Sequence, residues 1–83
     1  MPIPEMEKGA RLTIGSKATI TAIQNGSAVK VFVAEDADNK LILPITTICN
    51  EKGIPVVRVV SMRELGRACG IRVGAAAAAV VNQ

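Results

Sequence analysis

From Gly74 to Val81 the chain reads G-A-A-A-A-A-V-V, five alanines and two valines with no polar residue among them. Four readings compete for this run: a helix, a fragment of membrane anchor, a buried strand, or the edge of a binding site. A membrane span needs about 20 apolar residues, and the stretch from Val73 to Val81 is far shorter. Alanine favours helix. Against that, the run is short, lacks a cap, ends in Val-Val and follows a helix predicted to close at Gly70. Small side chains also suit a central strand, because they let the layers on its two sides approach closely. The run is therefore predicted to be a strand pressed between helices.

The rest of the chain supplies the partners such a strand needs. Arg11-Leu12-Thr13-Ile14 alternates and stops at Gly15, which suits a short strand. Ser16 is placed to cap a helix from Lys17 to about Gln24, closed by Asn25-Gly26. Val29 to Ala34 is β-branched and nearly all apolar, the clearest strand in the sequence. After the acidic turn Glu35-Asp36-Ala37-Asp38-Asn39, Leu41, Ile42, Ile45, Ile48 and Cys49 recur at helical spacing, with Pro44 expected in the first turn. Val56 to Val60 reads as a second buried strand. Ser61-Met62-Arg63-Glu64 is a capping box that opens a helix ending at Gly70. The order β-α-β-α-β-α-β predicts one α/β domain, a three-layer α/β/α sandwich with a four-stranded mixed sheet. It spans residues 11–83, behind a short N-terminal tail or helix stub at residues 1–10.

With 83 residues and Phe32 as the only aromatic, the core has to be aliphatic and economical. Cys49 and Cys69 are too few for a disulfide framework. The start M-P-I-P-E-M-E-K lacks the basic and apolar regions of a signal peptide. Both cysteines read as buried thiols, and the chain as soluble and cytoplasmic with no membrane contact. The net charge is +3. Basic segments (Lys8, Arg11, Lys17, Lys30; then Lys52, Arg58, Arg63, Arg67, Arg72) flank an acidic middle. They could fold into a one-faced basic patch for phosphates or be an ordinary solvated surface, and charge alone does not separate the two.

Catalytic chemistry finds little support. The sequence has no histidine, which removes Ser-His and Cys-His nucleophiles and makes zinc ligation improbable. Glu35, Asp36 and Asp38 could hold a divalent cation, but acids directly before a helix more simply cap its N–H groups. Gly70-Ile71-Arg72-Val73-Gly74 lacks the spacing of a dinucleotide loop. No enzyme activity, metal or cofactor is expected. Two binding features remain. Gly15-Ser16-Lys17 puts a glycine, a hydroxyl and a cation at a helix start, suited to an anion or to plain capping. Ile71 and Val73 either plug into the core beneath their loop or form an apolar surface for an unpaired base.

Ile14-Gly15-Ser16-Lys17, Val33-Ala34-Glu35-Asp36-Ala37-Asp38, the block Cys49 to Val56, and above all Leu65-Gly66-Arg67-Ala68-Cys69-Gly70-Ile71 resemble the kink-turn-binding ribosomal proteins. These are the L-seven-Ae and L-thirty-e type, including small bacterial YbxF-like members. The resemblance runs from about Arg11 to Val81. It implies a monomeric protein that binds a kink-turn, a sharply bent internal loop in RNA, in ribosomal or other structured RNA and in possible association with ribosomes. It further implies RNA contacts at Gly15, Ser16 and Lys17, then at Ala18 and Thr21 one turn along. Ile71, Arg72 and Val73 would cover the kink and its extruded base, with Asp38 and Met62 near that base. Many relatives carry Asn-Glu at the helix start and a lysine three residues on. Lys17-Ala18 and Thr21 replace them here, which predicts weaker or more salt-dependent recognition. A protein–protein interaction module on the same sandwich is the competing reading.

Overall fold

The computed structural model describes residues 11–82; the expected tail at residues 1–10 lies outside them. The elements follow in the order β1 (Arg11–Ile14), α1 (Ser16–Gln24), β2 (Ala28–Ala34), α2 (Asn39–Lys52), β3 (Val56–Val59), α3 (Met62–Cys69) and β4 (Ala77–Val81). They build one sheet of order β1-β4-β2-β3. β2 and β3 are parallel, and β4 runs antiparallel to both of its neighbours, β1 and β2.

The two interior strands are the two most apolar ones, because each has both faces covered. Val31 to Ala34 of β2 and Ala77 to Ala79 of β4 are all buried. Their register matches large to small: Phe32 lies opposite Ala78, Val31 opposite Ala79, and Val33 opposite Ala77. α1 and α2 pack against one another on one face, as two right-handed crossovers require, and α3 lies against β2, β3 and β4 on the other. The alanine run is thus the strand between two helical layers. The strand itself begins at Ala77, two residues later than the small-residue pattern suggests, because the Ala75 N–H donates to the Met62 carbonyl (3.0 Å) in the preceding loop. Val29 is skipped in the β2–β4 register and half exposed, a bulge near the start of β2.

Two local expectations change. α2 starts at Asn39, so Pro44 sits inside the helix and not in its first turn. The Lys40 carbonyl therefore has no i+4 donor. Pro44 is on the exposed side, where water can serve that carbonyl. Ser16 is not a cap: Gly15 is the N-cap of α1, and no side chain among the described residues bonds the helix start. Gly15 holds φ 103°, a conformation glycine adopts without strain, so the chain turns from strand to helix in one residue.

Candidate nucleic-acid interface

Because β1, β2 and β3 run together and β4 runs back, the C-terminal ends of three strands share one sheet edge with the start of β4. All three helices begin there, and the loop from Gly70 to Ala76 ends there. The ten residues singled out from the sequence fall on segments that open onto this edge.

The helix starts differ in how their free N–H groups are served. At α2 the Asp38 carboxylate accepts from the Lys40 N–H (3.0 Å). At α3 the Ser61 hydroxyl accepts from the Glu64 N–H (3.1 Å), and Asp36 accepts from the Met62 N–H (2.8 Å) across the edge. The acidic turn therefore caps two helices, and Asp36 does so over 26 residues of sequence. At α1 the Gly15 N–H donates to the Ala77 carbonyl (2.8 Å) and the Gly15 carbonyl accepts from Thr19 (3.0 Å). With no capping side chain, the first-turn N–H groups point outward as a site of partial positive charge. Lys17, Thr21 and Gln24 form the exposed stripe of α1, Thr19, Ala22 and Ile23 the buried one, and Ser16 and Ala18 are half-buried.

The loop after α3 lies flat on that helix. Gly70 closes α3 with φ 83°, the Ile71 N–H donates to the Gly66 carbonyl (3.0 Å), and Ala75 returns to Met62. Two glycines make room for the close approach. A Cβ on Gly66 would overlap the Val73 carbonyl oxygen, and one on Gly74 would meet the Met62 Cβ at 3.0 Å. Met62 thus joins the acidic turn, through its N–H, to the loop, through its carbonyl and Cβ. The two apolar residues of the loop differ in burial. Ile71 packs against the core, whereas Val73 is 71% exposed and Arg72 is exposed.

Asp38 reaches this edge with a carboxylate already engaged as a cap. The basic segments do not gather on one face. Arg11 and Lys30 lie near strand starts and Lys52 ends α2, all at the opposite edge, while Glu35, Asp36 and Asp38 share the edge with Lys17 and Arg72. Sequence reading missed three features of this edge: Asp36 as a cap of α3 and not of the helix that follows it, Val60 as an exposed apolar residue just after β3, and Gly66 as the floor of the loop. Gly66 did carry a signal, since a glycine inside a helix costs about 1 kcal/mol against alanine and calls for a packing reason. Among the described residues, no group of three or more His, Cys, Asp or Glu could hold a metal ion. No helix among the described residues is long and apolar enough to cross a membrane. Burial pushes the Cys49 and Cys69 thiols up from their ordinary pKa.

The mixed four-stranded sheet, its three helices and an edge of helix starts and one glycine-bounded loop define a small α/β/α sandwich with a binding edge. The chain belongs to the ribosomal protein L7Ae/L30e/S12e/Gadd45 family, whose model matches residues 3–83. It is 44% identical over 82 residues to the RNA-binding protein YbxF of Geobacillus stearothermophilus, and equally to RNA-binding protein GK0100 of Geobacillus kaustophilus. These matches cover 99% of this chain and 100% of each relative. Among solved structures, a Giardia lamblia 15.5kD RNA binding protein superposes with a TM-score of 0.81 at 30% identity. That match covers 87% of this chain and 61% of the Giardia one, so this chain spans about three-fifths of that protein's length. These relatives are RNA-binding proteins by name, and the family membership makes this chain a non-enzyme.

Proposed function

We propose that this chain is a non-catalytic RNA-binding protein that recognises a kink-turn, acting as a cytoplasmic monomer in association with ribosomal or other structured RNA. The observation that carries the reading is the uncapped start of α1, bonded through Gly15 to β4 beside the loop that presents Arg72 and Val73. An anionic, sharply bent backbone suits this pairing of outward N–H groups with an apolar and cationic lip. Gly15 and Ser16 offer backbone donors to the kinked strand, and Lys17 and Arg72 meet phosphates. Val73 covers the extruded base while Ile71 anchors the loop from below. Ala18 and Thr21 let the RNA approach but cannot read guanine edges as longer polar side chains would. Met62 and Asp38 border the base pocket, Met62 through its packing and Asp38 through the carboxylate oxygen not bonded to Lys40.

Affinity then leans on phosphate contacts and falls steeply with salt. The test titrates the chain against a kink-turn RNA and a straight duplex of equal length, at about 50 and 200 mM salt. A preference for the kink-turn at both salts is expected, with Arg72→Ala lowering the salt slope by about 1. Equal binding to the two RNAs sinks the proposal. Unchanged RNA binding by Arg72→Ala together with loss of a protein partner would favour the interaction-module reading instead.

A further inference from the structure

β3 leaves one side of the sheet open, and the backbone on that side is poised to accept another strand. The Pro55 and Val59 carbonyls accept from the Val31 and Glu35 N–H groups (3.0 and 2.8 Å), so those peptides face β2. In a parallel ladder the groups alternate. The N–H groups of Val56, Arg58 and Val60, and the carbonyls of Val56 and Arg58, therefore point off the free edge. Natural sheets usually cover or blunt such an edge, and β3 carries two mild forms of blunting, a length of four residues and the charged Arg58. Here it borders a shallow groove of about 440 Å³, lined by Thr46, Thr47 and Asn50 of α2 with Ile54, Val56 and Arg58.

The groove and the free edge are registered to one another. Val56 and Arg58 pair with Val31 and Val33, so their side chains project to the α2 face while their backbone groups face outward. A strand laid on β3 would bond to Val56 and Arg58 and drop every second side chain towards the groove. Among the described residues, Arg58 is the only charged one lining it; the rest of the lining is hydroxyl, amide and aliphatic. An anionic side chain flanked by aliphatic ones at i−2 and i+2 is the complement. A second copy of this chain fits poorly, since antiparallel pairing of two β3 strands about Arg58 sets the guanidinium groups against each other.

We propose that the β3 edge and the α2–β3 groove dock an extended segment of a partner protein, added as a fifth strand, with an Asp or Glu side chain against Arg58. The groove runs from Ile54 to Arg58, whereas the proposed RNA edge lies beyond Val59, so the two surfaces meet only at Val60. The inference stands whether or not the RNA reading does.

The probe is a blocked peptide, Val-Thr-Glu-Thr-Val-Thr, followed by amide NMR on the full chain, with a lysine-for-glutamate peptide as control. The glutamate peptide should shift and protect the Val56, Arg58 and Val60 amides, and bind about tenfold better than the control. Arg58→Glu should reverse the preference, and Arg58→Gln should abolish it while the spectrum outside β3 stays that of the parent. Failure of the peptide to perturb these amides overturns the proposal and leaves Arg58 as a charge that blocks strand pairing. Equal binding of both peptides also overturns it. Protection of the same amides on raising the concentration of the chain alone, with a dimer in sedimentation, assigns the edge to self-association instead.

Discussion

Gly66→Ala tests whether the loop from Gly70 to Gly74 owes its position to a missing side chain. Gly66 is buried in the middle of α3, and a Cβ there would overlap the Val73 carbonyl oxygen and lie 3.1 Å from its carbon and 3.2 Å from the Gly74 Cα. All three atoms are backbone, so no rotamer change relieves the contact. The loop must retreat by roughly an ångström, straining the Ile71-to-Gly66 and Ala75-to-Met62 bonds that pin it; overpacking of this kind costs about 1–3 kcal/mol. Alanine in a helix interior returns about 1 kcal/mol over glycine. Net of that gain, global stability should fall by about 0–2 kcal/mol in urea unfolding at unchanged m. The local effect should be larger in kind. Val73 and Arg72 ride on the displaced segment, and losing one well-placed contact worth about 1–1.5 kcal/mol lowers RNA affinity about tenfold. Amide exchange at Ile71 and Ala75 should accelerate in the same variant. Parental RNA affinity with unchanged exchange at both amides would refute the argument, because the loop would then not rest on Gly66.

Other consequences follow from the packing and the caps. Ala78→Val should destabilise by about 1–3 kcal/mol in urea unfolding, because Ala78 is fully buried opposite Phe32. Adding Phe32→Leu should recover part of that loss, and additive effects would show that the pair does not interpenetrate. Thr19→Val should stabilise by about 1 kcal/mol, since the Thr19 hydroxyl is buried with no hydrogen-bond partner among the described residues and valine keeps its shape; a loss of stability would reveal a bond the hydroxyl makes. Asp36→Ala should cost about 0.5–2 kcal/mol by uncapping Met62, against no change if that bond is weak. The folded state holds the Cys49 and Cys69 protons more tightly than the unfolded chain. Their contribution is thus fully present below about pH 9, the ordinary thiol value, and is lost as pH rises above it. Urea midpoints from pH 7 to 10 in a cysteine-to-serine pair against the parent measure this, with equal slopes in both as the contrary result.

Which parts of the molecule could be read in advance follows from the range of the forces involved. The seven elements came through because β-branched runs, helical spacing and the glycines at 15, 26, 53 and 70 are local signals, and each glycine does hold positive φ. The alanine run was legible as a strand because a central position leaves a negative imprint, the absence of large side chains. Pro44 was misread for the opposite reason. The start of α2 is fixed by the Asp38 carboxylate and not by the apolar spacing that begins at Leu41. The contacts that assemble the edge are long-range and leave little trace. Asp36 reaching Met62 and Gly15 reaching Ala77 each join residues that only the strand order brings together, whereas Gly66 under Val73 is a contact between a helix and its own following loop.

That dependence on strand order also supports the proposal that this edge receives the ligand. Three helix starts converge there, and the fold supplies caps for two of them from its own acidic turn and Ser61. The third is reached by a glycine that has no side chain to offer, although a serine stands one residue later, already inside the helix. Moving that hydroxyl back by one position would cap α1, but a serine at φ 103° is strained. The sharp turn that bonds Gly15 to Ala77 and the open N–H groups of α1 are therefore the same feature. A chain that closed the helix would have to give up the turn that brings α1 beside the Arg72 loop. Gly15→Ser should accordingly weaken both stability and RNA binding despite adding a capping group.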